Sequence, residues 1–333
     1  MAPRFFLNID VLGMGACNLS CPSCPIGNWT EIQNPKGLMK PELLDRILEK
    51  AKRECEIQAV GLFNYTEPLL HPQLPELVRI VRYHGLRCDL SSNLNKIKNI
   101  EPVLRSDPTN LRISCSGFTQ DVYSRTNRGG DIEVVKSNMA KLMDIHRAMG
   151  SATRVHMLYH RYRHNLHDEA PMREYCNSLG IAFLTAWAYF MPLEKMMTVA
   201  GETKYAPLNE EDKELLKLLQ LPPEEALVAA QPYKGRECKV QTQQLAIDHE
   251  GGVQLCCATY DAKQYTLGNF MEMSLEKIQQ AKYASETCSE CMSNAVHVYY
   301  SYGAPEFDEI AYSHMSEKER AELSSHRAIF DPL

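Results

Sequence analysis

From Phe5 to about Trp187, short β-rich runs alternate with longer amphipathic runs, and this alternation narrows the possible folds more than any other feature. The strand-like runs are Phe5 to Leu12, Ile57 to Phe63, Leu86 to Leu90, Leu111 to Cys115, Arg154 to Tyr159 and Ile181 to Trp187. Helical runs fall between them, from Pro41 to about Glu54, from Leu74 to His84, within Ile132 to Met149, and ending near Leu179-Gly180. In the first of these, Leu43, Leu44, Ile47 and Leu48 share one face and Pro41 occupies the first turn. Strands and helices at this spacing predict parallel βαβ units, hence an α/β chain with an open parallel sheet or a partial barrel. Chemistry is then expected at the C-terminal ends of the strands.

Pro-rich, charged sequence from about Met191 to Lys234 breaks the pattern, with one helical piece from Asn209 to Leu219. Beyond it, Gln243 to Ile247 and Val253 to Cys257 flank the turn-rich Asp248-His249-Glu250-Gly251-Gly252, a hairpin signal, and Ser274 to Tyr283 reads as a helix. The expected organisation is a barrel over residues 1–190, a bridge over 191–235 and a small α+β module over 236–333.

Lys and Arg total 36 against 42 Asp and Glu, a formal charge of −6, and no stretch concentrates basic residues. That argues against a nucleic-acid partner. Apolar runs such as Ile181 to Phe190 are too short to cross a membrane, and the N-terminus lacks a signal peptide's apolar core. A cytoplasmic protein without a membrane partner is the expectation.

In such a setting the 12 cysteines are better read as metal or cluster ligands than as disulfides. Cys17, Cys21 and Cys24 form a CxxxCxxC on the loop after the first strand. Cys238, Cys256, Cys257, Cys288 and Cys291 gather in the C-terminal third, and Cys55, Cys88, Cys115 and Cys176 stand singly. Three thiolates on one short loop can hold three irons of a four-iron, four-sulfur cluster and leave the fourth open, whereas zinc wants a fourth protein ligand that this loop lacks.

The motif and its place after the first strand resemble the radical S-adenosylmethionine (radical SAM) superfamily, whose fold is a partial (β/α)6 TIM-like barrel. Several segments extend the resemblance over roughly Phe5 to Trp187. Tyr65-Thr66-Glu67-Pro68 is similar to the family's Gly-Glu-Pro motif, which holds the methionine amino group, with Thr66 in place of Gly. Ser91-Ser92-Asn93 resembles the polar stretch after the third strand that contacts the ribose or carboxylate. Ser114-Cys115-Ser116-Gly117 resembles the fourth-strand Ser-x-Asp-Gly, with Ser116 replacing Asp, and Arg128-Gly129-Gly130 follows. Ser23 stands where an aromatic residue is usual. The resemblance thus implies cofactor contacts at Tyr65, Thr66, Glu67, Ser91, Asn93, Ser116 and Arg128.

Cys238-x12-Gly251-x4-Cys256 is similar to the opening of the family's SPASM and twitch domains, and with Cys288-x2-Cys291 it implies one auxiliary four-iron, four-sulfur cluster held by four thiolates. Tetrahedral zinc is the alternative for the same ligands. Cys257 is left over, and on a strand it would point away from Cys256. It is a candidate hydrogen-atom donor to a substrate radical, with Cys115, which ends a strand, as the second. His156 and His160 share a strand face, and Tyr159, Tyr162, Trp187 and Tyr189 sit near the same strand ends as possible cavity residues.

The implied activity is reductive cleavage of S-adenosylmethionine to a 5′-deoxyadenosyl radical, with electrons from a flavodoxin- or ferredoxin-like donor. Hydrogen abstraction from a substrate then leads to dehydrogenation or epimerisation. A small molecule such as a sugar, aminocyclitol or natural-product intermediate is expected, because peptide-modifying relatives usually carry a leader-recognition domain and little sequence precedes Cys17. A ribosomal peptide substrate, or a non-enzymatic iron-sulfur or zinc protein, is the alternative.

Overall fold

A computed structural model describes residues 4–98 and 100–323. Nine strands form one sheet in the order β6-β5-β4-β3-β2-β1-β7-β8-β9. They are β1 (Arg4–Ile9), β2 (Glu56–Gly61), β3 (Cys88–Ser92), β4 (Asn110–Ser114), β5 (Arg154–Arg161), β6 (Ala182–Trp187), β7 (Gln244–Ile247), β8 (Gly252–Gln254) and β9 (Thr266–Asn269). The first six pair in parallel with their sequence neighbours and are joined by helices. This is the mixed α/β, partial-barrel arrangement that the alternation predicts.

The C-terminal module does not sit apart from this sheet. β7 pairs in parallel with β1, Phe6 opposite Gln244 and Ile9 opposite Ile247, and the antiparallel hairpin β7–β8–β9 extends the sheet beyond it. The expected strand from Val253 to Cys257 ends at Gln254, so Cys256 and Cys257 lie on the turn that follows. The third strand is shifted, running over Cys88–Ser92, which puts Ser91 and Ser92 on the strand itself.

Two large apolar clusters organise the chain. One packs the helices Pro41–Glu54, Leu74–Tyr83 and Ile132–Met149 on the barrel strands and includes Leu245, Ile247, Val253 and Ile278 from the C-terminal module. The other joins Trp187 and Phe190 to the segment around Met196, Leu215 and Leu227 and to Val296, Tyr299 and Phe307. Alternation along each barrel strand then sorts side chains by parity. On β4 and just after it, Leu111, Ile113 and Cys115 belong to the core, whereas Arg112, Ser114 and Ser116 face a cavity. On β5, Val155, Met157 and Tyr159 are core, and His160 and Tyr162 face that cavity. Among the described residues no helix is long and apolar enough to cross a membrane.

Candidate active site

A cavity of about 270 Å³ opens at the C-terminal ends of the barrel strands, with Cys17, Cys21 and Cys24 in its wall. Their loop is pinned from three sides. The Glu67 amide donates to Ala16 O at 3.0 Å, the Gly15 amide to Tyr65 O at 3.0 Å and the Ser20 amide to Arg128 O at 3.0 Å. The short helix Pro25–Asn28 closes the loop over Gly27, where a Cβ would come within 2.3 Å of both Ser20 O and Cys21 O. Any other residue there would push the loop open.

All three thiols are raised by burial, Cys21 to about 12, and Cys21 and Cys24 are raised further by other members of the set. Cys17 repels Cys21, and both repel Cys24. Three converging thiolates are therefore tolerable only around positive charge, which fits iron ligation. The Leu19 amide (3.4 Å) and Asn93 Nδ2 (3.6 Å) donate to Cys17 Sγ, the kind of hydrogen bonding that tunes a ligating sulfur.

Thr66, Glu67, Ser91, Asn93 and Ser116 all line this cavity. Glu67 is buried, and its carboxylate accepts from the Asn93 amide at 2.7 Å and the Leu69 amide at 3.1 Å, stapling the loop after β2 to the end of β3. Burial pushes its carboxyl up to about 7 despite these bonds. Thr66, in place of a glycine, donates to the buried Asp10 at 3.0 Å, so its side chain is absorbed by the end of β1. Tyr65 stacks edge-on against Tyr260 at 5.5 Å and keeps a buried hydroxyl with no partner. Arg128 lies outside the cavity wall; it holds the cluster loop through its carbonyl, and its side chain reaches Glu211 at 3.6 Å on the surface.

Several cavity residues carried no motif in the sequence. Arg112 donates to Ser91 Oγ at 3.0 Å and lies over the Phe63 ring at 4.7 Å. Tyr162 donates to Ser23 Oγ at 2.7 Å, so an aromatic ring reaches the cluster loop from the end of β5 although position 23 has none. The inward parity of β4 and β5 was the available signal for both. The same parity corrects Cys115: it shares the core face of Leu111 and Ile113, is fully buried and donates to Gly117 O. It does not reach the cavity.

His160 lines the cavity, whereas His156 does not. Burial, then the Arg112 charge, lower the His160 ring to about 4 from an ordinary 6.5. Between those values the unfolded chain binds a proton that the folded chain refuses, so this histidine removes stability as pH falls from about 6.5 to about 4. Urea unfolding of His160→Gln at pH 7 and pH 5 should show a smaller acid loss than wild type; an equal loss means His160 is protonated normally in the fold.

The second cysteine set also converges. Cys238, Cys256, Cys288 and Cys291 surround one pocket with Leu193, Val240 and Leu255 as apolar walls. Burial raises Cys238 to about 12 and Cys288 to about 11, and Cys291 feels the other three. Four thiols in one dry pocket fit an iron-sulfur cluster as donor set. Cys257 belongs to this neighbourhood: it hydrogen-bonds Cys256, and its Sγ donates to Gln244 Oε1 at 3.2 Å. The turn at 256–257 removes the strand alternation that would have sent it the other way, and it lies outside the wall of the larger cavity.

The two sites touch through backbone and side chain. Asn64, in the wall of the larger cavity, donates from Nδ2 to Cys257 O at 3.3 Å.

A family model described as the radical SAM superfamily matches residues 11–162, and one described as an iron-sulfur cluster-binding domain, SPASM, matches residues 238–295. The tungsten-containing aldehyde ferredoxin oxidoreductase cofactor-modifying protein of Pyrococcus furiosus is 30% identical over 77 residues, 23% of this chain and 21% of that protein. The match therefore spans about a fifth of that relative's length. Among solved structures, Streptococcus suis SuiB bound to precursor peptide SuiA superposes with a TM-score of 0.59 at 16% identity, covering 88% of this chain and 67% of that one. anSMEcpe with bound AdoMet gives 0.54 at 14% identity, covering 86% and 82%. At these identities the likeness is one of fold. A SAM-binding four-iron, four-sulfur cluster belongs to the first of these domains and an auxiliary iron-sulfur cluster to the second. The parallel sheet with the first cysteine set at its strand ends coincides with a radical SAM domain over residues 11–162, and the second cysteine set coincides with a SPASM iron-sulfur domain over residues 238–295, so the chain carries both domains in this order.

Proposed function

We propose that this enzyme dehydrogenates a small molecule of the sugar, aminocyclitol or natural-product class. With S-adenosylmethionine and a reduced cluster bound, the first site supplies a 5′-deoxyadenosyl radical able to take a hydrogen atom from an unactivated C–H bond. Cys17, Cys21 and Cys24 would hold that cluster. Glu67 and Asn93 keep the cavity loops in register, and Ser91, Ser116 and Arg112 present polar groups to the cofactor and substrate. Tyr162, Phe63 and Ile26 exclude water from the rest of the wall. Cys238, Cys256, Cys288 and Cys291 would hold the auxiliary cluster, whose chemistry there is electron acceptance.

The observation that carries dehydrogenation over epimerisation is the contact between Asn64 and the Cys257 carbonyl. It hydrogen-bonds the wall of the reaction cavity to the loop that bears auxiliary ligand Cys256, and bonded contacts of this kind favour electron transfer. Epimerisation needs a thiol facing the cavity, and neither Cys115 nor Cys257 lines it.

The test is anaerobic turnover with S-adenosylmethionine and a chemical reductant, reading 5′-deoxyadenosine across panels of polyols and of short peptides. Stimulation by a polyol with formation of a carbonyl product supports the reading. Stimulation by peptides alone moves the substrate class to peptides, as in the SuiB complex with its precursor. Cys257→Ala should retain dehydrogenated product at a rate within a few fold of wild type; loss of product with both clusters intact would restore the hydrogen-donor role.

A further inference from the structure

We propose that Lys282 is a built-in counter-charge of the four-cysteine site, making the auxiliary cluster easier to reduce. The proposal rests on the reading that Cys238, Cys256, Cys288 and Cys291 hold that cluster.

Lys282 lies on the helix Leu275–Ala284 and is 1% exposed, an unusual place for an ammonium group. A lysine head carries three donors, and Nζ spends one on Gln244 O at 2.6 Å. Two further bonds tie it to the site. Gln241, in the wall of the four-cysteine pocket, donates from Nε2 to Lys282 O at 3.2 Å. Gln244 accepts from Cys257 Sγ at 3.2 Å through its own side chain. Burial lowers the Lys282 ammonium below its ordinary value, and the opposite charges that act against this are the sulfurs of Cys256, Cys257, Cys288 and Cys238. Elsewhere in this chain a buried lysine takes the ordinary solution, as Lys195 does with Asp212 at 2.6 Å.

A buried charge must be compensated. Here compensation comes from thiolates, which exist as a set only when they ligate metal. An electron added to the cluster makes the centre more negative, so a fixed positive charge in a dry pocket stabilises the reduced form more than the oxidised one. Lys282 is a positioning residue in this sense: it is bonded to Gln244 and to the pocket-wall residue Gln241, and it acts through the cluster.

The experiment is a redox titration followed by electron paramagnetic resonance on the full chain carrying Cys17→Ala, Cys21→Ala and Cys24→Ala, so that the auxiliary cluster gives the signal. Adding Lys282→Met is expected to lower the equilibrium constant for one-electron reduction about tenfold, a potential about 59 mV more negative, at unchanged iron content. Lys282→Arg should recover most of the shift. An unchanged potential with iron retained overturns the proposal. If Lys282→Met loses iron, Lys282→Gln against Lys282→Arg is read in the same way. Loss of iron in all three variants makes Lys282 a structural requirement and also overturns it. The ligand reading is tested separately, since absence of iron from the triple-cysteine parent would defeat that reading before any lysine is changed.

Discussion

Replacing Cys17, Cys21 and Cys24 together with Ala should leave about four of about eight irons in the anaerobically purified protein and abolish 5′-deoxyadenosine formation. The expectation follows from geometry as well as spacing. The three thiols face one cavity, with Cys21 and Cys24 raised by their neighbours in the set, so they act as a unit and removal of the set leaves no partial site. The auxiliary cysteines are held by a separate pocket, walled by Leu193, Val240 and Leu255. Wild type with about four irons and one zinc would make the C-terminal site structural and end the electron-accepting role. Wild type without iron would refute both cluster assignments.

Asp212→Ala should cost about 3–5 kcal/mol of stability and release iron from the first site sooner than wild type. Asp212 is buried, accepts from Lys195 at 2.6 Å, and closes a capping box with Asn209 at the start of the helix Glu210–Leu218. Lys195 also donates to Asn28 O, the last residue of the short helix that follows Cys24. Removing the carboxylate strands a buried ammonium against the cluster loop and uncaps a helix in one stroke. Urea unfolding gives the first effect, and iron loss to a chelator gives the second. The double variant Lys195→Met with Asp212→Leu should recover most of the stability but not the capping contribution. A single variant with wild-type stability would mean that water replaces the carboxylate.

Much of the barrel was legible along the chain because its signals are local. A strand buried on both faces reads as a continuous apolar run, and Phe5 to Ile9 are all buried in β1. The helix Pro41–Glu54 announces itself by a leading proline and one apolar face. The first cysteine set was equally visible, since its three members lie within eight residues of one loop. Period-two alternation along β4 and just beyond it also separates Cys115 from Ser114 and Ser116.

Other features had no local signal. The expected hairpin at 243–257 joins the barrel through parallel pairing with β1, more than 200 residues earlier. The hydrogen bond from Asn64 to Cys257, the burial of Lys282 against Gln244 and the pairing of Tyr162 with Ser23 depend on which strand ends meet. By itself the sequence determined the α/β alternation, the two cysteine sets and hence the kind of cofactor they can carry, because these depend on neighbours within a few turns of chain. Only the tertiary structure decided which thiols face a cavity, where the buried charges are compensated and how the two sites are joined, because parity, burial and long-range register are properties of the packed sheet rather than of any one segment.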